Sequence, residues 1–401
     1  MANIAILGFG VVGSGVAEVI TENLKLIEKR INDELKIKYI LDLRDFPDSP
    51  FGNLVTHDFN VILNDPEVSI VAEMMGGSHP AYDFSIAALK AGKSVVTSNK
   101  EVVSKFGVEL LEVARENNVR YLFEASVGGG IPIIRPLTTD LAANSICSIN
   151  GILNGTTNYI LTQMCQNGAD FADSLKDAQQ KGYAEANPSA DVDGIDAARK
   201  IVILASLAFG KLIDPDSIYT EGITKLSISD IEIAKEFGCS VKLIGHCEKI
   251  DGKIFAMVSP RLIPAGNPLH SIDDVFNGIL VDGNMLGASM FYGRGAGKLP
   301  TASAVVADII DIAKSPSNDP CFPALTNAQA SDIADIGSYK CKNMLVFDAK
   351  ADDGILDAFN ASEAVMKNGK VAFITEELSE SELTEILSTL KDAPTSRIRL
   401  I

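Results

Sequence analysis

Short apolar runs alternate with stretches of helical periodicity through the first 130 residues. Residues 3–7 form one such run, and Val12, Val16, Val19, Ile20, Leu24 and Ile27 then recur at helical spacing between positions 11 and 31. Further strands are predicted at 37–41, 70–75, 94–97 and 120–124, separated by helical segments that include 82–91 and 105–117. Strand–helix–strand alternation implies parallel pairing through right-handed crossovers, with helices on both faces of the sheet. The expected class is α/β, opening with a doubly wound domain over residues 1–130.

The pattern changes near residue 130. A strand is predicted at 145–153, helices at 159–166, 174–181 and 195–209, and two long strands at 242–250 and 253–262 around the turn signal Asp251-Gly252. With strands at 278–281 and 289–292, residues 131–300 read as an α+β domain with an open mixed sheet. The helix at 303–314 carries small apolar residues suited to packing back on the first domain, which residues of about 300–315 would complete. Residues 315–332 hold three prolines and read as a linker. A tail at 335–401 follows in the order β-α-β-α-β, with helices at 354–364 and 379–390; Ser379 and Glu382 have capping-box spacing.

Composition narrows the function classes. With 46% hydrophobic and 22% charged residues the chain has material for a core, which excludes wholesale disorder. The 53 acidic against 35 basic residues, a net charge of −18, argue against nucleic acid or an anionic membrane as the partner. No apolar window approaches the length of a membrane span, and the first ten residues read as a strand rather than a signal peptide. Six cysteines without a CxxC pair and four scattered histidines give no transition-metal spacing, so a reducing cytoplasm is expected.

Candidate chemistry begins with Gly8-Phe9-Gly10-Val11-Val12-Gly13, a GxGxxG that follows an apolar strand and opens an amphipathic helix. In that context the glycines allow a tight turn, approach of a pyrophosphate, and close helix–strand packing. At the end of the second strand, Asp42 would accept from an adenosine 2′-hydroxyl and Arg44 would favour a 2′-phosphate. The choice leans to NAD and leaves NADP open. Thr97, Ser98 and Lys100 end the next strand pattern, where ligands collect in such sheets. Glu124 opens the run Ala125-Ser126-Val127-Gly128-Gly129-Gly130-Ile131, whose glycines suit a hinge, substrate approach, or a monovalent cation held by carbonyls. Asp196 and Lys200 share a helix face ahead of the apolar run Ile201-Val202-Ile203-Leu204-Ala205, a setting for a partly desolvated proton donor. A second glycine loop, Gly293-Arg294-Gly295-Ala296-Gly297-Lys298, precedes the last helix of the second region.

Together, GFGVVG, TSNKEV, EASVGGGIPII, GILNGTTNYIL, GYAEANPSADVDGIDAARK and YGRGAGKLPTASAVV resemble the homoserine dehydrogenase family, in its order, through residues 1 to about 315. The resemblance implies NAD(P)-dependent interconversion of L-aspartate 4-semialdehyde and L-homoserine, in threonine and methionine biosynthesis. It implies that Lys200 is the proton donor, with Lys100 as a second acid–base or electrostatic group. Glu185 and Asp196 would hold the substrate ammonium, with Asp191 in support. Gly182, Gly295 and Gly297 match positions near the cofactor, and Glu124, Val127, Gly129 and Ile131 match a structural sodium site built from backbone oxygens. Family members pair through the second domain, so a homodimer is expected.

Two departures accompany the resemblance. Asp42 stands where many members carry Arg, which favours NAD. The tail resembles an ACT-type regulatory domain but reads as shortened, one strand below βαββαβ, with Ala351-Asp352-Asp353-Gly354 in place of the usual acid-x-Pro-Gly turn. Two other readings stay open: a phosphate-dependent semialdehyde dehydrogenase, which needs an activated cysteine, and a non-catalytic sensor of dinucleotide and amino acid.

Overall fold

Strand β1 (Ala2–Leu7) is buried almost along its whole length, as a strand covered on both faces must be. Helix α1 (Val11–Ile31) follows, burying Val16, Ile20, Ile27 and Ile31 on one stripe. The computed structural model describes residues 1–315, 322, 324–350, 354–359, 361 and 363–401. Two compact units emerge: Met1–Ala143 with Ser206–Asp214 and Gly293–Asn327, and Asn144–Ala205 with Pro215–Tyr292 and Ala328–Ile401.

In the first unit, β2 (Leu35–Leu41), β3 (Val55–Thr56), β4 (Val68–Glu73), β5 (Ser94–Thr97) and β6 (Tyr121–Leu122) join β1 in the order β3-β2-β1-β4-β5-β6. Every pairing is parallel, and helices α2 (Phe59–Leu63), α3 (Ala81–Lys90) and α4 (Lys100–Glu116) fall among the connections. The order reverses at β1, so the crevice beside the glycine turn is the topological switch point. Helix Lys298–Lys314 packs on α1: a Cβ on Gly15 would come within 2.9 Å of the Lys298 carbonyl oxygen.

The second unit is built on one sheet of ten strands. Its longest pair, Cys239–Ile250 and Lys253–Pro264, is antiparallel in unbroken register around Asp251 and Gly252, both at positive φ, as a two-residue hairpin turn requires. Strand β7 (Ile146–Ile152) lies between Cys239–Ile250 and Phe276–Gly283. It leads into α5 (Gly155–Asn167), α6 (Phe171–Gln180), the one-turn α7 (Ser189–Val192) and α8 (Ile195–Phe209).

The tail corrects the sequence reading of a shortened module. Its strands in the large sheet are Asn343–Asp348, Val365–Lys367, Lys370–Ile374 and Ser396–Leu400, with helices Gly354–Ala358 and Glu380–Thr389, which is the full βαββαβ order; Lys340–Cys341 and Leu378–Ser379 form a separate short pair. The overlooked strand, Val365–Lys367, is joined to the next by Asn368 and Gly369, both at positive φ. The helix expected at 354–364 ends at Ala358. The tail's sheet also continues the larger one, because Ser396–Leu400 pairs in parallel with Lys253–Pro264. Ala351, Asp352 and Asp353, together with Cys321 and most of 316–323 in the expected linker, lie outside the described residues.

His246 sits on Cys239–Ile250, 5% exposed, its Nδ1 2.8 Å from Asn150 Oδ1. Burial holds its imidazole down at about 4; the Glu248 carboxylate pulls the other way without offsetting it. In the unfolded chain the ring protonates near pH 6.5. The neutral ring's contribution to stability is therefore complete above pH 6.5 and is lost as pH falls towards 4, by up to about 3 kcal/mol. Thermal melts between pH 7 and 4.5 are expected to show a shallower decline for His246→Gln than for the wild type; parallel declines would count against this role.

Candidate active site

The turn from β1 into α1 is shaped for a phosphate-bearing ligand. Gly8 adopts φ +87°, and a Cβ at Gly13 would lie 2.0 Å from the Gly8 carbonyl oxygen, so neither position tolerates a side chain. Gly10 is the N-cap of α1 and offers no side-chain acceptor, which leaves the helix's first N–H groups to meet an anion. Phe9 N–H donates to Asp42 at 2.8 Å, and Arg44 donates to the same carboxylate through Nε and Nη2, each at 3.0 Å. Arg44 holds the Asp42 carboxyl down at about 2. Gly8, Gly10, Asp42, Arg44, His57 and Met75 are among the residues lining a cavity of about 520 Å³. A helix terminus without an acceptor beside a largely apolar cavity fits a dinucleotide.

At the ends of β4 and β5 the same crevice is braced. Asn99 caps α4, accepting from the Glu101 and Val102 N–H groups at 3.2 Å, while its amide donates to the carbonyls of Met75 and Gly77 at 3.2 and 2.8 Å. Thr97 is buried, Ser98 half-buried, and Lys100 is the first residue of α4, half-buried.

The glycine loop after β6 is held from behind. The Glu124 carboxylate accepts from the N–H groups of Ile133, Ile134 and Arg135 at 2.7–2.8 Å, and its own N–H donates to Asp308 at 2.9 Å. Gly128 and Gly129 take φ +75° and +55°, and a Cβ on Gly129 would lie 2.3 Å from the Gly295 carbonyl oxygen. The two glycine loops of the first unit therefore touch backbone to backbone. Gly297, at φ +124°, caps the helix that follows. Ser126 Oγ is buried here without a hydrogen-bond partner among the described residues. Among the described residues no cluster of three or more His, Cys, Asp or Glu suits a metal ion.

In the second unit the chain gathers an ion pair at the start of α8. Lys200 Nζ donates to Asp196 Oδ2 at 2.7 Å and to the Leu153 carbonyl at 2.8 Å, with Lys200 8% and Asp196 5% exposed. Asn154 completes the cluster: its amide donates to Asp191 at 2.7 Å and Asp196 at 2.9 Å, and its carbonyl oxygen accepts from Thr157 N–H, capping α5. Asp191, on α7, is half-buried. Glu185 is exposed, and no hydrogen bond joins its carboxylate to the cluster among the described residues; its carbonyl accepts from Gln179. Gly182, at φ +74°, follows α6 with open space around it.

Two family models match, homoserine dehydrogenase over residues 132–310 and the homoserine dehydrogenase NAD-binding domain over residues 8–124. The homoserine dehydrogenase of Corynebacterium glutamicum is 38% identical over 98% of this chain and 92% of its own length. The chain belongs to the homoserine dehydrogenase family. It is an NAD(P)-dependent oxidoreductase of amino-acid biosynthesis. A homoserine dehydrogenase from Thiobacillus denitrificans superimposes with TM-score 0.90 at 35% identity, over 100% of this chain and 98% of that one. A hyperthermophilic archaeal homoserine dehydrogenase solved with NADPH gives 0.66 at 30%, covering 77% of this chain and 97% of that one.

Membership removes the two other readings, and the thiols agree. Cys239, Cys247 and Cys341 are buried, with their pKa values raised by desolvation, and Cys147 and Cys165 lie on β7 and α5. The raised values of Cys239, Cys247 and Cys341 are the opposite of an activated nucleophile's.

Sequence reasoning missed Asn154. As an Asn between a strand and a helix it signals an N-cap, but its reach to Asp191 and Asp196 depends on the fold. Asn154→Asp keeps the capping oxygen and replaces both amide donors with an anion beside two carboxylates. Turnover is expected to fall by about 100-fold or more in a folded protein. Steady-state rates beside a thermal melt check this; near-wild-type turnover would show that the amide does not hold the acids in place.

Proposed function

We propose that Lys200 delivers the proton to the carbonyl oxygen of L-aspartate 4-semialdehyde as it becomes the hydroxyl of L-homoserine. The observation that carries this is the buried Asp196–Lys200 pair, in which the Leu153 carbonyl and Asp196 fix the ammonium's position. An ammonium kept in place needs no reorganisation as charge grows on the substrate oxygen. A reduced dinucleotide, when bound, would supply the hydride. Asp196 and Glu185 hold the substrate ammonium, Asp191 supports Asp196 through their shared donor Asn154, and Lys100 is a second acid–base or electrostatic group.

The cofactor's pyrophosphate would lie on the N–H groups at the start of α1, with Gly8, Phe9, Gly10, Val11, Val12 and Gly13 forming its turn. Thr97, Ser98, Gly182, Gly295 and Gly297 are its further proposed neighbours. The preference is for NAD. Asp42 presents an anion, and Arg44, the cation a 2′-phosphate would need, is already bound to it. The archaeal relative's NADPH makes use of both cofactors a live second reading.

The carbonyls of Glu124, Val127, Gly129 and Ile131 would hold a sodium ion; the positive-φ glycines and the Ser126 hydroxyl, which has no partner among the described residues, support this. Replacing sodium with choline chloride should then lower the melting temperature, and no change would remove the site. The working form is a homodimer, as light scattering at micromolar concentration would report; a monomer would overturn that. No helix among the described residues is long and apolar enough to cross a membrane, and we assign the enzyme to the cytoplasm, which activity in the membrane pellet of a lysate would contradict.

Lys200→Ala and Asp196→Ala are expected to lower kcat by about 100-fold or more, with the NADH dissociation constant, read from its fluorescence, held within about twofold. Near-wild-type rates in both variants would remove this mechanism. Asp42→Ala is expected to shift the NADPH-to-NADH ratio of kcat/KM towards NADPH by about tenfold; an unchanged ratio would mean that this acid does not sort the cofactors.

A further inference from the structure

One buried acid in the first unit has no place in the mechanism above. Glu73 is the last residue of β4 and is fully buried. Its Oε1 accepts from Met75 N–H at 2.6 Å and its Oε2 from the Thr97 hydroxyl, also at 2.6 Å. Thr97 Oγ1 accepts in turn from Asn99 N–H at 2.9 Å, and the Asn99 amide returns to the carbonyls of Met75 and Gly77. The four residues form a closed ring of hydrogen bonds between the turns that follow β4 and β5.

Each turn bears on the cofactor crevice. Met74 N–H donates to the Leu7 carbonyl at 2.9 Å, and its own carbonyl oxygen would lie 3.0 Å from a Cβ on Gly8, so the turn after β4 sits directly against the glycine turn. Met75 and Gly76 line the cavity with Gly8 and Gly10. The turn after β5 ends at Asn99, which caps the helix whose first residue is Lys100. An apolar residue would suit the burial better, but it would leave the Met75 N–H and the Thr97 hydroxyl without their partner. Burial pushes the Glu73 carboxyl up to about 7, so the neutral acid is accessible, and its O–H can donate to Thr97 while the other oxygen still accepts from Met75.

We propose that Glu73 is a positioning residue for the dinucleotide: its buried carboxyl ties the turn after β4 to the turn after β5 and fixes both against the glycine turn. The proposal deepens the assignment of residues 8–13 as the cofactor's seat and rests on it. Asp42, across the same cavity, tests that assignment separately, because Asp42→Ala alters cofactor selection whether or not Glu73 matters.

The experiment is a fluorescence titration of NADH and NADPH against the full-length protein, with homoserine KM measured in parallel. Glu73→Gln is isosteric; its carbonyl can accept from Met75 and its amide can donate to Thr97, so its dissociation constants are expected within about twofold of wild type. Glu73→Ala strands both donors and is expected to raise them about tenfold or more, with homoserine KM within about twofold. If that variant does not fold, Glu73→Leu, which fills the volume while stranding the same two donors, is expected to raise them about threefold or more. Dissociation constants unchanged in the Ala or Leu variant would overturn the proposal. So would an equal rise in homoserine KM, or a Gln variant as weak as the Ala variant.

Discussion

Burying the Asp196–Lys200 pair is the constraint around which the second unit is arranged. Taking two charges out of water costs several kcal/mol per ion unless geometry and added hydrogen bonds offset it. Here the offset includes the pair itself, the Leu153 carbonyl on Lys200, and the Asn154 amide on Asp196. Each depends on packing elsewhere. Leu153 fits because Gly151 and Gly245, opposed in the sheet, leave its side chain room; a Cβ on either would come within 2.8 Å of it. Helix α8 is held by Ile201, Val202, Ile203, Leu204 and Ala205, all essentially buried. The apolar packing thus keeps a charged pair dry enough to act and close enough to survive burial.

The first unit uses acids differently. Glu73 and Glu124 are buried carboxylates whose partners are mainly backbone N–H groups at the ends of parallel strands. In a doubly wound sheet those strand ends carry the ligand, and a carboxylate can hold an irregular turn where no ladder partner exists. Asp42 has a third use, closing on Phe9 N–H and on Arg44. The excess of acidic residues is therefore not only surface charge; several of these acids are internal braces.

Legibility in the sequence followed the range of the interaction. The glycine turn, Asp42 with Arg44, and Asp196 with Lys200 are local patterns, and period and spacing alone expose them. Asn154 lies 42 residues from Asp196, and Glu73 lies 24 from Thr97, so neither pairing could be read before the fold brought strand ends together. The same limit hid Val365–Lys367. Three residues carry too little alternation to announce a strand, although Asn368-Gly369 was a hairpin signal in plain view. The resemblance to a family supplied the roles of Glu185 and Gly182, which no local pattern suggests.

Whether Lys200 itself transfers the proton is answered most directly by chemical rescue. A proton-donating Lys200 requires that small primary ammonium ions restore reduction of aspartate semialdehyde in Lys200→Ala, in proportion to their concentration and more strongly as their acidity rises. If the variant binds NADH normally and no amine restores any rate, the lysine only organises the site and the proton comes from elsewhere.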